Sequence, residues 1–556
     1  MKRTIVLGIL FAGLAAFLGA CESSDSDGSG AGTGGPVGGS AGTSGGAGGL
    51  VGPTAGLGPA AGTGGGVTPL GGTGGSSGAV APTGGTGGTT GGTGGTTGGN
   101  GGTTGGNGGT ASSTGPFSFT GKVVNFEGAP IAGAIVKLEK AGAAATTGAD
   151  GTFTLGSGAP NQPGEVFDDA LIVTHAEYLD WDSTVYNQPS ISDMSIRMAS
   201  VDHPVYTREM VFEEGTADFP SCHAAAIVDL MDGTLLSTYF GGSKESADDV
   251  EVRLSRKNPG EGWILPIQLT DAPNDGLSVE NPSIFQEREG RIFVFWKSTH
   301  GSPNRIGKMI TSDDGGHTWS EQRNICDKCM GPEDGKAVQL PNGDILAPAA
   351  DRNGFFDGGS LYVEISTDKG ETWTPSATNA DDSGFKAIQP NILIHADGRL
   401  QMMARGRGGK IPVTWSDDNG RTWSALEAST LPANWAGIDV ISTRAGRHFI
   451  AYNHNPTSPG SKGERRFLTL AVSKDGVAWN AAHVLGIASG GQLSYPAIIQ
   501  SRDGLLHVVH TWHRDTIAHI VINPYKITDE TIVPMPDGEW PTSGPLSKDA
   551  NQDKRG

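Results

Sequence analysis

The sequence is poor in cysteine, in basic charge and in long apolar runs, and each shortage excludes a class of protein. Four of the 556 residues are cysteine, and only Cys326 and Cys329 are closely spaced, so a four-ligand zinc site has no second pair to draw on. Lys and Arg number 39 against 59 Asp and Glu, and the net charge of −20 argues against nucleic acid or anionic membrane surfaces as partners. Apart from residues 4–17, which are too few for a permanent span, no segment is apolar enough to cross a membrane. We therefore expect no metal, no other cofactor, a loop closed by a Cys326–Cys329 disulfide, and a local cluster of arginines for any anionic substrate.

The first residues have the pattern of an export signal. Lys2 and Arg3 supply a positive start, the apolar run follows, and Leu18-Gly-Ala-Cys21 places small residues before a cysteine. That tetrapeptide resembles the bacterial lipobox, which implies that residues 1–21 are a lipoprotein signal and that Cys21 is acylated. We expect an exported protein, lipid-anchored to the bacterial cell envelope at the outer membrane, with the lipid as its only membrane contact. The alternative is an ordinary cleaved signal with a chance cysteine.

Residues 22–115 consist almost entirely of glycine, threonine, serine and alanine, and they hold most of the excess among the 90 glycines of the chain. So little apolar surface cannot offset the entropy lost on ordering the chain. We predict a disordered Gly/Thr-rich linker that gives the folded part reach from the membrane.

From residue 116 to residue 200 the pattern changes to short alternating strands. Residues 119–125 and 134–139 flank a turn, and Asp150-Gly-Thr-Phe-Thr-Leu indicates a tight turn into another strand. The segment resembles the carboxypeptidase-regulatory-like or Cna-B-like β-sandwiches of exported proteins. That resemblance implies a spacer or a weak binding module.

The remainder, residues 201–545, repeats one pattern of an apolar strand, a turn with glycine and a second apolar strand. The turn glycines follow one another at about 50 residues, a period that suits four strands per propeller blade. A strand near Tyr206 to Phe212 precedes the first repeat and can complete the last blade. We therefore predict an all-β protein, with a six-bladed β-propeller preceded by the small β-sandwich and the disordered linker. The turn glycines are Gly233, Gly290, Gly343, Gly398, Gly446 and Gly504.

A second repeat interleaves with the first. Segments starting at Ser312, Ser366 and Ser416 share Ser-x-Asp-x-Gly-x-Thr-Trp, and Ser473 starts a degenerate fourth copy. In this Asp-box pattern, Asp accepts backbone N–H groups across a tight turn, Gly takes a positive φ, and Trp buries a large apolar face. The boxes are structural, and no chemistry is assigned to them.

The propeller resembles the sialidases, and most closely the bacterial sialidase-like proteins with BNR repeats. The resemblance implies a carbohydrate-active enzyme that binds a carboxylated sugar through three arginines. It also implies a tyrosine nucleophile activated by a glutamate, an aspartate as acid/base, and a glycan or polysaccharide as partner. The closer match is carried by residues 245–249, 387–393, 452–456, 494–500 and 510–519.

The catalytic positions of the family are partly kept, as measured from the turn glycine of each blade. Tyr495 matches the nucleophile, and Asp248 or Asp249 matches the acid/base. Two positions depart from the pattern, because His223 stands where the first arginine is expected and Gln389 stands where the glutamate is expected. Glutamine cannot accept the proton of a tyrosine, whose pKa ordinarily lies near ~10.

The substrate-binding positions are matched by arginines. Arg405 matches one family arginine, with Arg407 as a competitor for the same role, and Arg465 or Arg466 matches another. Guanidinium groups suit this role because they bind carboxylates bidentately. Further residues predicted at the same mouth are Gln389, Lys336, Asp439, His454 and Arg514.

Three functions remain open at this stage. The first is an exo-acting glycoside hydrolase on a terminal acidic sugar, either sialic acid or a uronate. The second is a uronate-specific polysaccharide lyase, in which Tyr495 and His223 exchange protons with the substrate beside an arginine-bound carboxylate. The third is a non-catalytic glycan-binding propeller.

Overall fold

The computed structural model describes residues 117–156, 167–270, 278–299, 305–352, 359–379, 384–459 and 461–550. The predicted signal with Cys21 and the predicted linker lie outside the described residues. All described residues belong to one compact unit. Apart from a short 3-10 helix at Pro524–Lys526, their regular elements are β-strands, which confirms the all-β prediction. Within the described ranges, no helix has the length and apolar character that a membrane span requires.

The first seven strands form two small sheets that share an apolar core. They are β1 (Ser118–Val124), β2 (Ile135–Leu138), β3 (Ala144–Thr146), β4 (Thr152–Gly156), β5 (Asp168–His175), β6 (Tyr178–Tyr186) and β7 (Ser190–Arg197). The sheet orders are β4-β1-β7 and β3-β2-β5-β6. Buried and less buried positions alternate along β6, as expected for a sheet with one face on a core. Phe119 of the first sheet packs in one cluster with Val136 and Trp181 of the second.

Six antiparallel sheets follow. Their strands are β8 (Tyr206–Met210), β9 (Ser221–Asp229), β10 (Leu235–Gly242), β11 (Glu251–Lys257), β12 (Ile267–Gln268), β13 (Ser278–Gln286), β14 (Ile292–Thr299), β15 (Arg305–Ser312), β16 (Arg323–Asn324), β17 (Val338–Gln339), β18 (Ile345–Arg352), β19 (Gly359–Ser366), β20 (Thr374–Pro375), β21 (Ile388–Ile394), β22 (Leu400–Arg405), β23 (Lys410–Ser416), β24 (Glu427–Pro432), β25 (Asp439–Ser442), β26 (His448–Asn453), β27 (Phe467–Ser473), β28 (Trp479–Ile487), β29 (Leu493–Gln500), β30 (Leu506–Trp512), β31 (Thr516–Ile522) and β32 (Val533–Pro534). The sheets are β9–β12, β13–β16, β17–β20, β21–β24, β25–β28 with β32, and β29–β31 with β8.

The sheets succeed one another in a closed, propeller-like ring. Strand β9 lies against both β13 and β29, so the first sheet contacts the second and the last. Strand β8 pairs with β31, which confirms the prediction that a strand preceding the first repeat completes the last sheet. The six predicted turn glycines all have positive φ, between 73° and 110°, a backbone conformation that glycine adopts without steric cost.

The Asp-boxes act as structural turns. In the first box Ser312 Oγ accepts a hydrogen bond from the Gly316 N–H at 2.9 Å, and Asp314 Oδ1 accepts one from the Thr318 N–H at 2.9 Å. The same bonds recur in the second and third boxes. The predicted disulfide is present between Cys326 and Cys329.

Candidate active site

Six residues occupy equivalent positions at one end of the sheet ring. Each lies nine residues before a turn glycine, at or just before the first strand of its sheet. Neighbouring members approach closely, since a Cβ added to Gly437 would lie 2.7 Å from Asp334 Oδ2 and 3.1 Å from Tyr495 Cδ1. We call this set the inner ring: Ala224, Asn281, Asp334, Gln389, Gly437 and Tyr495.

The backbone at four inner-ring positions is left-handed although the residues are not glycine. The φ angles are 56° at Ala224, 43° at Asn281, 52° at Gln389 and 53° at Tyr495. In each case the strand register shifts at this point, as a β-bulge requires. A bulge re-aims a side chain, and such strain costs on the order of 1–3 kcal/mol per residue and collects at functional sites. The strained backbone at Gln389 and Tyr495 therefore lowers the stability of the fold, and it sets the direction of these two side chains.

Tyr495 is the centre of a buried polar cluster. Its hydroxyl oxygen accepts a hydrogen bond from Arg405 Nη1 at 2.7 Å, and Gln389 Nε2 lies 3.4 Å away. Arg405 Nη1 also donates to Gln389 Oε1 at 2.9 Å. The Arg405 guanidinium lies 4.3 Å from the Trp435 ring centroid, which fixes its plane. Tyrosine, arginine and glutamine thus hold one another in a single orientation.

His223 packs directly on the tyrosine. The two ring centroids are 4.3 Å apart, and His223 Nδ1 lies 2.8 Å from Thr511 Oγ1. Its Nε2 is buried and has no hydrogen-bond partner among the described residues. Burial, followed by the charges of three neighbouring arginines, lowers the pKa of His223 well below its ordinary value, so the ring is neutral at physiological pH.

Three guanidinium groups converge here in a protein whose net charge is strongly negative. Arg465 Cζ lies 5.6 Å from the Tyr495 ring centroid, and its Nη2 donates to Trp435 O at 3.0 Å. Burial, with the charges of Arg405 and Arg514, lowers the pKa of Arg465 to about 10. Arg514 forms a 2.7 Å ion pair with Glu245. Such a concentration of positive charge, which lowers the pKa of Arg465, suits an anion.

Comparison with known proteins finds relatives of the repeat domain that carries these residues. Residues 233–508 match the BNR repeat-like domain family. The chain is 24% identical over 344 residues to a sialidase of Bacteroides fragilis, covering 53% of this chain and 60% of that protein. It is 26% identical over 345 residues to a sialidase of Micromonospora viridifaciens, covering 54% and 51%. The chain thus spans less than two thirds of the length of these curated relatives. By these matches the propeller is similar to the sialidase superfamily.

The solved structures similar to this chain include a trans-sialidase and a protein of unknown function. A leech intramolecular trans-sialidase covers 72% of this chain and 92% of its own, with 12% identity and a TM-score of 0.49. A protein of unknown function from Dyadobacter fermentans covers 57% of this chain and 99% of its own, with 17% identity and a TM-score of 0.47.

The structure separates the competing arginines of the candidate site. Arg405 ends β22 and contacts Tyr495, whereas Arg407 lies against the Trp435 ring, 4.3 Å from its centroid. Arg465 lies beside Tyr495, whereas the exposed Arg466 pairs only loosely with Glu464, at 3.7 Å. Arg405 and Arg465 are thus the members of the two pairs that the fold brings to the tyrosine.

The predicted acid/base aspartates are not joined to the tyrosine by any contact among the described residues. Asp248 is exposed, and the Asp249 carboxylate accepts hydrogen bonds from Ser243 N at 3.0 Å and Ser243 Oγ at 2.9 Å, which closes their own loop. The residue of this loop that reaches the arginine cluster is Glu245, through Arg514. Sequence matching passed over Glu245 because it sought an aspartate.

Three other predicted binding residues belong to the framework of the propeller-like fold. Lys336 Nζ uses its donors on both oxygens of Asp439, each at 2.7 Å, and on a backbone oxygen at 2.9 Å. Asp439 is buried, and it also accepts two backbone N–H groups. His454 is buried against Trp540 and bonds to Tyr452 through Nδ1 at 2.5 Å. These bonds leave Lys336 and Asp439 no spare polar atoms for a substrate.

Asp334 is the site residue that sequence reasoning missed. Its Oδ2 is buried without a hydrogen-bond partner among the described residues, and it lies across Gly437 from the Tyr495 ring. Burial raises the pKa of Asp334 to about 8, although Arg405 opposes the shift. The nine-residue spacing to Gly343 was the available signal, because Tyr495 and Gln389 have the same spacing to their own turn glycines.

Gly437→Ala tests the close packing of Asp334 and Tyr495 around Gly437. The added methyl group would lie 2.7 Å from Asp334 Oδ2 and 3.1 Å from Tyr495 Cδ1, so one of the two must move. We expect a loss of about 10²-fold in kcat with the fold retained, because small displacements of reacting groups have effects of that size. The assay is turnover of an acidic glycoside. Gly262→Ala, where an added Cβ meets no atom within 4 Å, is the control, and equal activity of both variants would contradict the role of this packing.

Asp334→Asn tests the protonation of the buried carboxyl group. The folded protein holds this proton up to about pH 8, whereas an unfolded chain releases it near the ordinary value of 3.8. Wild-type stability therefore falls between these two pH values, and the asparagine variant escapes that loss. In thermal unfolding at pH 5 and pH 8, we expect the Tm of the variant relative to wild type to rise with pH. Parallel curves for the variant and the wild type would contradict the assignment.

Proposed function

We propose that the inner ring is the active site of an exo-acting, sialidase-like glycoside hydrolase that acts on a terminal acidic sugar. The observation that carries the proposal is the convergence of Arg405, Arg465 and Arg514 around Tyr495 and His223. The sialidase names of the two curated relatives support it. The activity of the whole chain is part of the proposal, since the chain spans 60% and 51% of those relatives.

The arginines bind the carboxylate of the sugar. A planar guanidinium offers paired donors to a carboxylate, and partial burial strengthens the attraction because water screens it less. Arg514 replaces, by position beside His223, the arginine that the family pattern expects at residue 223. Its partner Glu245 would release it, or share it, when an anion enters.

Tyr495 acts as the nucleophile in a double displacement. Its oxygen forms a bond to the anomeric carbon while the bond from that carbon to the leaving oxygen breaks, and an acid on the loop of residues 243–249 protonates the leaving group. Water then displaces the tyrosine oxygen and restores the enzyme. Arg405 holds the Tyr495 oxygen through its hydrogen bond, and Asp334, where it is ionised above about pH 8, is the inner-ring carboxyl that takes up the phenol proton in place of the glutamate replaced by Gln389.

A second candidate is β-elimination from a uronate, and the His223–Tyr495 pair is the observation that favours it. A neutral imidazole with an unpaired Nε2 beside a phenol can serve as base and acid on one substrate. The arginines would then neutralise the uronate carboxylate, which acidifies the adjacent proton.

Parallel assays separate the two reactions. The purified protein is incubated with sialosides and with glucuronate-bearing polysaccharides while released acidic sugar, reducing ends and ultraviolet absorbance are followed. Hydrolysis releases sugar without new absorbance, whereas elimination creates an absorbing double bond. Binding without either signal would make the propeller a glycan-binding module and would overturn the proposed hydrolysis.

We also propose that Cys21 carries a lipid that anchors the protein to the outer membrane. The lipobox-like Leu-Gly-Ala-Cys sequence supports this proposal. Expression with a labelled fatty acid should mark the wild-type chain and leave Cys21→Ser unmarked. Equal labelling of both would contradict the anchor.

A further inference from the structure

A cavity lies at the opposite end of the sheet ring from Tyr495, where the seven-stranded N-terminal part meets the propeller. It has a volume of about 400 Å³ and is lined both by residues that precede β8, such as Phe126 and Arg197, and by the turns after β9 and β29. Tyr495 is near the start of β29 and Ser501 follows its end, so the two sites are about 20 Å apart along the strand. The cavity is therefore separate from the candidate active site.

A chain of three side chains leads into this cavity. His519 Nδ1 lies 2.8 Å from Glu209 Oε1, and His507 Nδ1 lies 2.9 Å from His519 Nε2. His507 Nε2 is buried, belongs to the lining, and has no hydrogen-bond partner among the described residues. Lys257 and Trp263 donate to the same glutamate oxygen and hold it in place.

The protonation states along the chain follow from these contacts. Burial alone would raise the pKa of Glu209, but hydrogen bonds from His519 and Lys257 lower it to about 2, so this residue is a carboxylate and only accepts. His519 therefore donates through Nδ1, and because burial lowers its pKa, its Nε2 carries a lone pair. That lone pair accepts the Nδ1–H of His507. Burial also lowers the pKa of His507, which leaves Nε2 as a free acceptor at the cavity.

The rest of the lining mixes donors, acceptors and apolar surface. Arg197 Nε and His203 Nε2 are buried without hydrogen-bond partners among the described residues. Arg502 and Asp229 form an ion pair at 3.0 Å, and the Phe126 ring stands edge-on to His203. Four basic and four acidic side chains contribute to the lining, so it has no excess of either sign.

A metal ion does not fit this arrangement. Both nitrogens of His519 are used within the chain, so among the imidazoles of the lining only His507 and His203 keep a nitrogen without a partner among the described residues. No group of three or more His, Cys, Asp or Glu in the described part of the protein is placed to hold a metal. The unused atoms are instead those that a ligand with several hydroxyl groups satisfies, since each hydroxyl both donates and accepts.

We propose that this cavity is a second, non-catalytic carbohydrate site that takes one or two sugar units. A sugar hydroxyl donates to His507 Nε2, Arg197 donates to a ring or hydroxyl oxygen, and the apolar face of the sugar lies on Phe126. The volume is within the range of small-ligand sites, and apolar lining with a few convergent polar groups is their usual character. Since the site joins the two folded parts of the chain, an occupied cavity also stiffens their connection.

Calorimetric titration of the full chain tests the proposal, with methyl galactoside, methyl glucuronide and N-acetylneuraminic acid as probes. We expect at least one probe to bind, and His507→Phe to weaken it by about tenfold or more, since an unmatched hydroxyl donor remains buried. His507→Gln retains an acceptor and should recover part of the affinity. Arg197→Met, on the other side of the cavity, should weaken the same probe and guards against a folding defect of the His507 variant.

Arg465→Ala distinguishes this site from the candidate active site, because it removes an arginine of the latter and leaves the cavity untouched. Binding that survives Arg465→Ala but is lost in His507→Phe and in Arg197→Met supports the second site, whether or not the hydrolase proposal holds. Binding that is lost only in Arg465→Ala, or the absence of binding by all three probes, would overturn the proposal. The cavity would then be a water-filled space between the two folded parts.

Discussion

Tyr495→Phe is expected to lower kcat by at least about 10³-fold, because it removes the one oxygen that can form the covalent bond to the sugar. The substitution is conservative for the fold. The Tyr495 ring packs with apolar residues such as Ala224 and Val279 and against His223, and phenylalanine keeps these contacts. Only the hydrogen bond from Arg405 and the contact with Gln389 are lost. The measurement is single-turnover and steady-state kinetics on the acidic glycoside, with thermal unfolding beside them.

Tyr452→Phe is the matched control for this prediction. Tyr452 is also a buried tyrosine, on the second strand of its sheet, but its hydroxyl bonds to His454, in the apolar cluster that includes Trp540. We expect it to affect stability and to leave kcat within about twofold of wild type, since surrounding contacts and not chemistry are changed. Full activity in Tyr495→Phe, or equal losses in both variants, would remove Tyr495 from the reaction.

Arg465→Ala is expected to lower kcat/KM by about 10²-fold, while the neighbouring Arg466→Ala changes it little. Truncating one partner of a buried charge pair typically costs about 2–5 kcal/mol, whereas an exposed pair is worth about 1 kcal/mol or less. Arg465 is half-buried beside Tyr495, and Arg466 is exposed with only a 3.7 Å pairing to Glu464. The measurement is kcat/KM for the two variants on the same glycoside.

The methyl ester of the acidic sugar sharpens this comparison. Wild type should prefer the free acid strongly, because the ester cannot pair with the guanidinium groups, and Arg465→Ala should lose much of that preference. If the variant loses activity equally on the acid and on the ester, Arg465 stabilises the fold and does not bind the carboxylate.

Local sequence patterns predicted much of the propeller because the forces involved are local. An Asp-box closes its own turn through bonds between residues four apart, and a turn glycine needs only its own φ. Counting back from the turn glycine also locates the same position in each sheet, and this count placed Tyr495 at the inner ring. The same count from Gly343 leads to Asp334, so the sequence alone contained the signal for this residue.

Other parts of the site depend on contacts that no local pattern encodes. The Arg514–Glu245 pair joins the last sheet to a loop of the first, and Thr511 reaches His223 across the same closure. The left-handed backbone of Gln389 and Tyr495 is contrary to residue preference and is held by the surrounding sheets. Carrying roles over by position therefore found the tyrosine and the arginines, but it did not find Glu245, which takes its place only in the closed ring.

The most direct test of the central claim is covalent trapping of Tyr495. A sialyl fluoride with a second fluorine beside the anomeric carbon slows the release of a glycosyl–enzyme intermediate, and peptide mass spectrometry then locates the sugar. The double-displacement account predicts an adduct on the peptide that contains Tyr495, absent from Tyr495→Phe and removed on incubation with an acceptor. Turnover of the unmodified glycoside without any adduct at Tyr495, or an adduct on another residue, would contradict it.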